Sequence, residues 1–85
     1  MAYKVVLTRK AVKEAGKLEK REREGLKEFL RRVAEEPRSQ GEPLKGRFKG
    51  EWRYKRGKLR ILCFIDDGKQ ELVVLRVRWR KDAYR

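Results

Sequence analysis

The chain contains no histidine, one cysteine, one methionine and two prolines in 85 residues. Without His there is no Ser-His-Asp triad, no His-assisted cysteine nucleophile and no imidazole acid–base pair. The lone Cys63 forms no intramolecular disulfide, and one Cys without His builds no structural zinc site. These absences fit a reducing compartment, the cytoplasm, and a fold held by packing alone. No apolar run approaches the roughly 18–20 residues of a spanning helix, and no signal-peptide pattern opens the chain. Neither a membrane partner nor a metal or small-molecule cofactor is expected.

What is present is charge. Lys and Arg number 26 against 13 Asp and Glu, a net +13, and charged residues make up 46% of the chain against 39% hydrophobic. A chain this short forms one domain, residues 1–85, that buries only about 60–65% of its unfolded surface. So large an excess costs self-repulsion and points to a polyanionic partner. Its distribution is uneven. Residues 1–43 hold 12 basic and 8 acidic side chains, whereas 44–60 hold eight basic residues and only Glu51. The closing segment, 76–85, adds five basic residues against Asp82. The excess therefore lies in two blocks.

The first half reads as strand, helix, helix. Tyr3–Leu7 is β-branched and aromatic, and Thr8 is placed to cap a helix with apolar positions Val12, Ala15 and Leu18. A second helix, over roughly Arg21–Glu36 in this reading, carries Leu26, Phe29, Leu30, Val33 and Ala34 at core spacing, with ion pairs on its outer face. Pro37 ends it, and Ser39–Pro43 reads as a loop. The period then changes from 3.6 to 2. From Arg47 to Lys55 the charged Arg47, Lys49, Arg53 and Lys55 alternate with Phe48, Trp52 and Tyr54. Arg56-Gly57-Lys58 turns the chain into a largely apolar strand, Leu59–Ile65, with Arg60 inside it. Asp66-Asp67-Gly68-Lys69 is a hairpin signal, and Leu72–Trp79 is the last strand, with Arg76, Arg78 and Arg80 on one face. The economical assembly is α+β: two N-terminal helices packed on a curved, mainly antiparallel sheet of about four strands.

Several side chains carry two readings. The basic strand faces, Arg47, Lys49, Arg53 and Lys55 with Arg76, Arg78 and Arg80, and the neighbouring Lys45, Lys81 and Arg85, are either solubility charges or a surface that binds phosphates. Arg60, among Leu59, Ile61 and Leu62, is either paired with an acid from the helices or held by its strand to grip a phosphate with its planar fork. Tyr84 either packs its ring or, among cations, stacks on a base or moves a proton. Asp66-Asp67 suits a turn better than a magnesium ion, Cys63 suits packing, and Trp52, Tyr54 and Trp79 suit the core better than base stacking.

Element order and short motifs resemble the RelE/ParE superfamily of toxin–antitoxin toxins over essentially the whole chain. The resemblance rests on Met1-Ala2-Tyr3-Lys4-Val5, Glu36-Pro37-Arg38, Pro43-Leu44-Lys45-Gly46, Gly50-Glu51-Trp52-Arg53-Tyr54, Gly57-Lys58-Leu59-Arg60-Ile61-Leu62 and Val77–Arg85. It implies the RelE-like, microbial-ribonuclease type of fold. In the RelE branch it implies an endoribonuclease that enters the ribosomal A site, cuts mRNA there without a metal and so stops translation. Arg53 and Lys55 match the family's basic strand positions, Arg60 closes its Gly-x-x-Arg motif, and Arg80 and Tyr84 match its C-terminal arginine and tyrosine. Leu59 and Trp79 depart from it, standing where many members have Tyr and His. Implied partners are the ribosome, mRNA and a cognate antitoxin protein. In the implied chemistry the RNA 2′-hydroxyl attacks the adjacent phosphate, Arg60 and Arg80 stabilise the developing charge, Arg53 orients the strand, and Lys55 or Tyr84 takes the proton. Two alternatives stand beside this: a non-catalytic ParE-type toxin acting on DNA gyrase, and a basic RNA-binding module without cleavage.

Overall fold

The computed structural model describes residues 2–44 and 50–79. In chain order these form β1 (Lys4–Leu7), α1 (Arg9–Gly16), α2 (Lys20–Val33), β2 (Glu42–Pro43), β3 (Glu51–Arg56), β4 (Leu59–Asp66) and β5 (Glu71–Trp79). They make one sheet of five strands, ordered β1-β5-β4-β3-β2. The expected α+β architecture is present, with two differences in the sheet. Residues 42–43, read as loop, form a two-residue edge strand paired antiparallel to β3. Pro43 is tolerated there because an edge strand need not offer every N–H to a neighbour. In addition, β1 pairs with β5 in parallel, Val5 opposite Leu72 and Leu7 opposite Val74, while the other pairs are antiparallel.

Thr8 caps α1 as the sequence indicates: its hydroxyl oxygen accepts from the Ala11 N–H at 3.1 Å. Ala11 is buried in this helix, Ala15 is half-buried, Leu18 is buried just past its end, and Val12, expected in the core, is 56% exposed. In α2, Leu26, Phe29, Leu30 and Val33 are buried as the spacing requires, and Ala34 closes the helix. Both helices cover one face of the sheet. That face supplies Tyr54, Leu59, Ile61, Cys63, Ile65, Leu72, Val74 and Val77 to the core. Tyr54 is fully enclosed, its ring edge-on to Phe29 at 5.9 Å and its hydroxyl donating to the Pro37 carbonyl at 2.6 Å. Burial pushes the Cys63 thiol up to about 12, which leaves it a packing group rather than a nucleophile. Asp67 lies in the β4–β5 turn, where it accepts two hydrogen bonds from Arg38 and one from the Tyr3 hydroxyl. No helix among the described residues is long and apolar enough to cross a membrane.

Candidate functional site: a cation row on the open sheet face

Among the described residues the helices leave the other face of the sheet uncovered, and the strand register organises its charges into rows. Lys55 of β3 stands directly opposite Arg60 of β4, and Arg60 stands opposite Arg78 of β5. The next row toward the sheet centre is Arg53, Leu62 and Arg76. A one-residue bulge in β5, where Leu62 faces Arg76 but Cys63 already faces Val74, keeps Arg76 and Arg78 on this face. The two basic blocks of the sequence thus meet, three strands wide. Like charges directly opposite one another destabilise a sheet, so such rows need either acids or another reason to exist.

The inner row has acids. Glu42 on the edge strand accepts from Arg53 through both Nε, at 3.1 Å, and Nη2, and its carboxylate lies 3.7 Å from the Lys55 ammonium. The hydrogen bonds and charge of Arg53, followed by the charge of Lys55, hold the Glu42 carboxyl below the usual carboxylate range. The placement of Glu42 depends on its neighbours. The Trp52 indole donates to the Gln40 carbonyl at 2.6 Å, and Gly41 has φ +75°, where a side chain would overlap the Arg53 carbonyl oxygen. At the other edge Glu14 of α1 takes Arg76. It accepts from Nε at 3.1 Å and Nη2 at 2.9 Å, and from the Val77 N–H at 2.9 Å, a backbone donor beyond the last β1 pairing. Desolvation raises the Glu14 pKa, but the bonds from Arg76 and Val77 outweigh it and the net shift is downward.

The outer row is different. Among the described residues Arg60 and Arg78 have no acidic partner within ion-pair distance, and Lys55 only shares Glu42. The acid from the helices allowed for in one reading of Arg60 is not what holds it. Its Nη1 donates to the Gly57 and Leu59 carbonyls, each at 2.9 Å, while its Nε is buried without a hydrogen-bond partner. Because Nη1 is engaged and Nε is enclosed, Nη2 is the guanidinium nitrogen left to donate to an external phosphate oxygen. Gly57, at φ +57°, makes the tight turn that brings its carbonyl onto Arg60.

Of the residues singled out from the sequence, Arg53, Lys55, Arg60, Arg76 and Arg78 share this face. Arg53 and Arg76 are occupied by acids. Arg80, Tyr84, Lys45, Arg47, Lys49, Lys81 and Arg85 lie outside the described residues. Tyr54 is core, Trp52 packs partly against it, and Trp79 stands at the sheet end, 37% exposed. No group of three or more potential metal ligands occurs among the described residues. The sequence reading missed Glu14 and Glu42. Glu14 sits 62 residues before the arginine it binds, and Glu42 sits in what looked like a loop.

Glu14 makes one prediction. A carboxyl whose pKa is lowered on folding stabilises fully above its unfolded value, near 4.5, and loses that contribution as pH falls through the folded value. Glu14→Gln should therefore lower stability by about 1.5–3 kcal/mol at pH 7 and by much less at pH 3. Urea unfolding of both proteins at the two pH values measures this.

Three comparisons bear on the site. The family model described as the ParE toxin of type II toxin–antitoxin systems, parDE, matches residues 5–84. Toxin RelG of Mycobacterium tuberculosis is 36% identical over 86 residues, covering 100% of this chain and 99% of the relative. Among solved structures, a chain of the toxin–antitoxin complex RelBE2 of M. tuberculosis superposes with a TM-score of 0.86 at 33% identity, over 94% of this chain and 93% of that one. The isolated E. coli RelE toxin gives a TM-score of 0.81 at 30% identity, over 92% and 84% of the two chains.

Proposed function

This chain belongs to the RelE/ParE superfamily of type II toxin–antitoxin toxins, and from that premise we propose that it is a ribosome-dependent endoribonuclease that cleaves mRNA in the A site. The observation that carries the proposal is the row Lys55, Arg60, Arg78, in which Arg60 and Arg78 have no acidic partner among the described residues. Arg60 and Arg78, opposite one another without an acid, cost stability and suit a chain of phosphates. In the reaction the 2′-oxygen of one nucleotide attacks the phosphorus of its own 3′-phosphate. The bond to the following 5′-oxygen breaks, and that oxygen leaves with a proton, giving a 2′,3′-cyclic phosphate and a 5′-hydroxyl. Negative charge gathers on the phosphoryl oxygens, where the Arg60 fork and Arg80 stabilise it. The 2′-hydroxyl proton needs an acceptor. Glu42, ionised beside Arg53 and Lys55, is the carboxylate near the row, and Lys55 and Tyr84 are the other groups placed for it by the sequence. The ribosome supplies the in-line geometry of the nucleotide. A cognate antitoxin, acidic or amphipathic, completes the system by covering the row.

The test is expression followed by primer extension on translated and untranslated mRNA. Cleavage should appear in translated message and fall at least tenfold with Lys55→Gln, Arg80→Ala or Tyr84→Phe. Undiminished cleavage removes the substituted residue from the chemistry. Because the matching family model is that of the ParE toxin, gyrase inhibition is the second reading. It predicts that supercoiling stops while mRNA stays intact.

A further inference from the structure

We propose that Arg56 is a positioning residue: seated on the backbone of α2 at Gly25, it fixes the tip of the β3–β4 hairpin and with it the aim of Arg60. The inference rests on the reading of the sheet row as an RNA site and adds to it a residue from the opposite face. Arg56 closes β3 two positions after Tyr54, so its side chain turns to the helix side of the sheet, away from Lys55. Two residues of strand advance about 6.6–6.8 Å, and four residues of helix advance about 6 Å. The two repeats match, so Tyr54 meets Phe29 while Arg56 meets Gly25, one turn earlier in α2.

A β-carbon at Gly25 would overlap Arg56 Nη2 and stand 2.9 Å from its Cζ, so the guanidinium lies directly on the helix backbone. At Gly16, by contrast, nothing lies within 4 Å of the same point. A glycine inside a helix is destabilising relative to alanine, and Gly25 falls within α2 rather than at its end. What the helix gains in return is a seat for Arg56. The ion pair with Glu22 does not explain the placement. Its groups are 4.0 Å apart on side chains that are 35% and 40% exposed, where such pairs contribute little. Close approach to the backbone holds the arginine.

Arg56 is followed at once by Gly57, whose carbonyl accepts from Arg60 Nη1 at 2.9 Å. The second acceptor, the Leu59 carbonyl, belongs to the residue paired with Arg56 across the hairpin. Both carbonyls that orient Arg60 thus flank the residue seated on α2. Release of Arg56 frees the tip on the side of α2, and the Arg60 guanidinium loses part of its fixed direction. Catalytic geometry tolerates little such play.

Gly25→Ala is the discriminating substitution, because it should favour α2 while evicting Arg56. Its thermal midpoint should be no lower than the parent's. Solvent exchange of the Arg60 Nε proton, enclosed in the parent and followed by NMR, should accelerate at least about tenfold. Cleavage of translated mRNA should fall about tenfold in kcat, with KM within about twofold. Arg56→Ala should give the same acceleration, and the double variant no more than either, since both remove one contact. Gly16→Ala and Glu22→Gln are the controls and should leave exchange and cleavage within about twofold of the parent. An unchanged Arg60 exchange rate in Gly25→Ala, additive effects in the double variant, or a lowered midpoint overturns the proposal, as does faster exchange with cleavage at the parent rate. If the parent leaves translated mRNA intact while Gly25→Ala still accelerates Arg60 exchange and weakens binding of a single-stranded RNA, the nuclease reading fails and Arg56 keeps its role.

Discussion

Arg60→Lys should lower mRNA cleavage by about 10²–10³-fold, equivalent to about 2.7–4 kcal/mol of transition-state stabilisation, with the fold intact. The substitution keeps the positive charge and removes two other things. One is the planar fork: Arg60 holds two carbonyls with Nη1 and still has Nη2 to offer a phosphate, whereas an ammonium is a single point charge. The other is the anchor. Arg60 is oriented by Nη1 on the Gly57 and Leu59 carbonyls, both within its own turn and strand, and a shorter lysine head cannot hold those carbonyls and reach the substrate together. Because the lost contact strengthens as charge develops, the deficit should fall on kcat more than on KM. Single-turnover cleavage on programmed ribosomes measures the rate, and the thermal midpoint should not drop, since the row is already a site of repulsion. A lysine variant as fast as the parent would show that charge alone suffices and that the planar fork has no part in the reaction.

The largest effect on stability should come from Tyr54→Ala, a loss of about 3–5 kcal/mol. Domains of this kind hold only about 5–15 kcal/mol in total, so the variant should be partly unfolded at 37 °C. Tyr54 sits between Arg53 and Lys55 in the strand but faces the opposite way, fully enclosed, edge-on to Phe29 of α2. Its hydroxyl also satisfies the Pro37 carbonyl, in the turn that follows α2. Truncation removes the ring, leaves that carbonyl unpaired and loosens β3 from the helix beneath it. Tyr54→Phe separates the contributions. It keeps the ring and should cost about 1–3 kcal/mol, the price of an unsatisfied buried acceptor. Urea denaturation of the three proteins measures both steps, and a phenylalanine variant as stable as the parent would mean that Pro37 finds another donor.

Much of this arrangement was legible in the residues because it rests on local period. The α2 stripe, the Thr8 cap, the turn at Gly57 and the alternation that places Arg53 and Lys55 opposite Tyr54 follow from spacing. Val12 shows where spacing misleads. Beside Ala11 it carries more hydrophobic weight, yet the helix turns the smaller residue inward, and position around the axis wins over side-chain size. The short β2 strand was hidden because two residues with a proline have no period to read. Glu14 and Glu42 were hidden for a different reason. Each is an ordinary surface acid until the fold brings a distant arginine to it, so the division into a neutralised row and a bare row exists only in three dimensions. Part of the candidate site, Arg80 and Tyr84, rests on the family resemblance.

The parallel pairing of β1 with β5 also governs when the protein becomes complete. Lys4 faces Glu71 and Leu7 faces Val74, so β1 has no strand neighbour until β5 is made. Closing so long a loop is entropically slow, and α1 and α2 can form well before it. Arg78 arrives with that final strand. A chain interrupted before β5 therefore has its helices but lacks Arg78, and the three-strand row of cations exists only once β5 has joined the sheet.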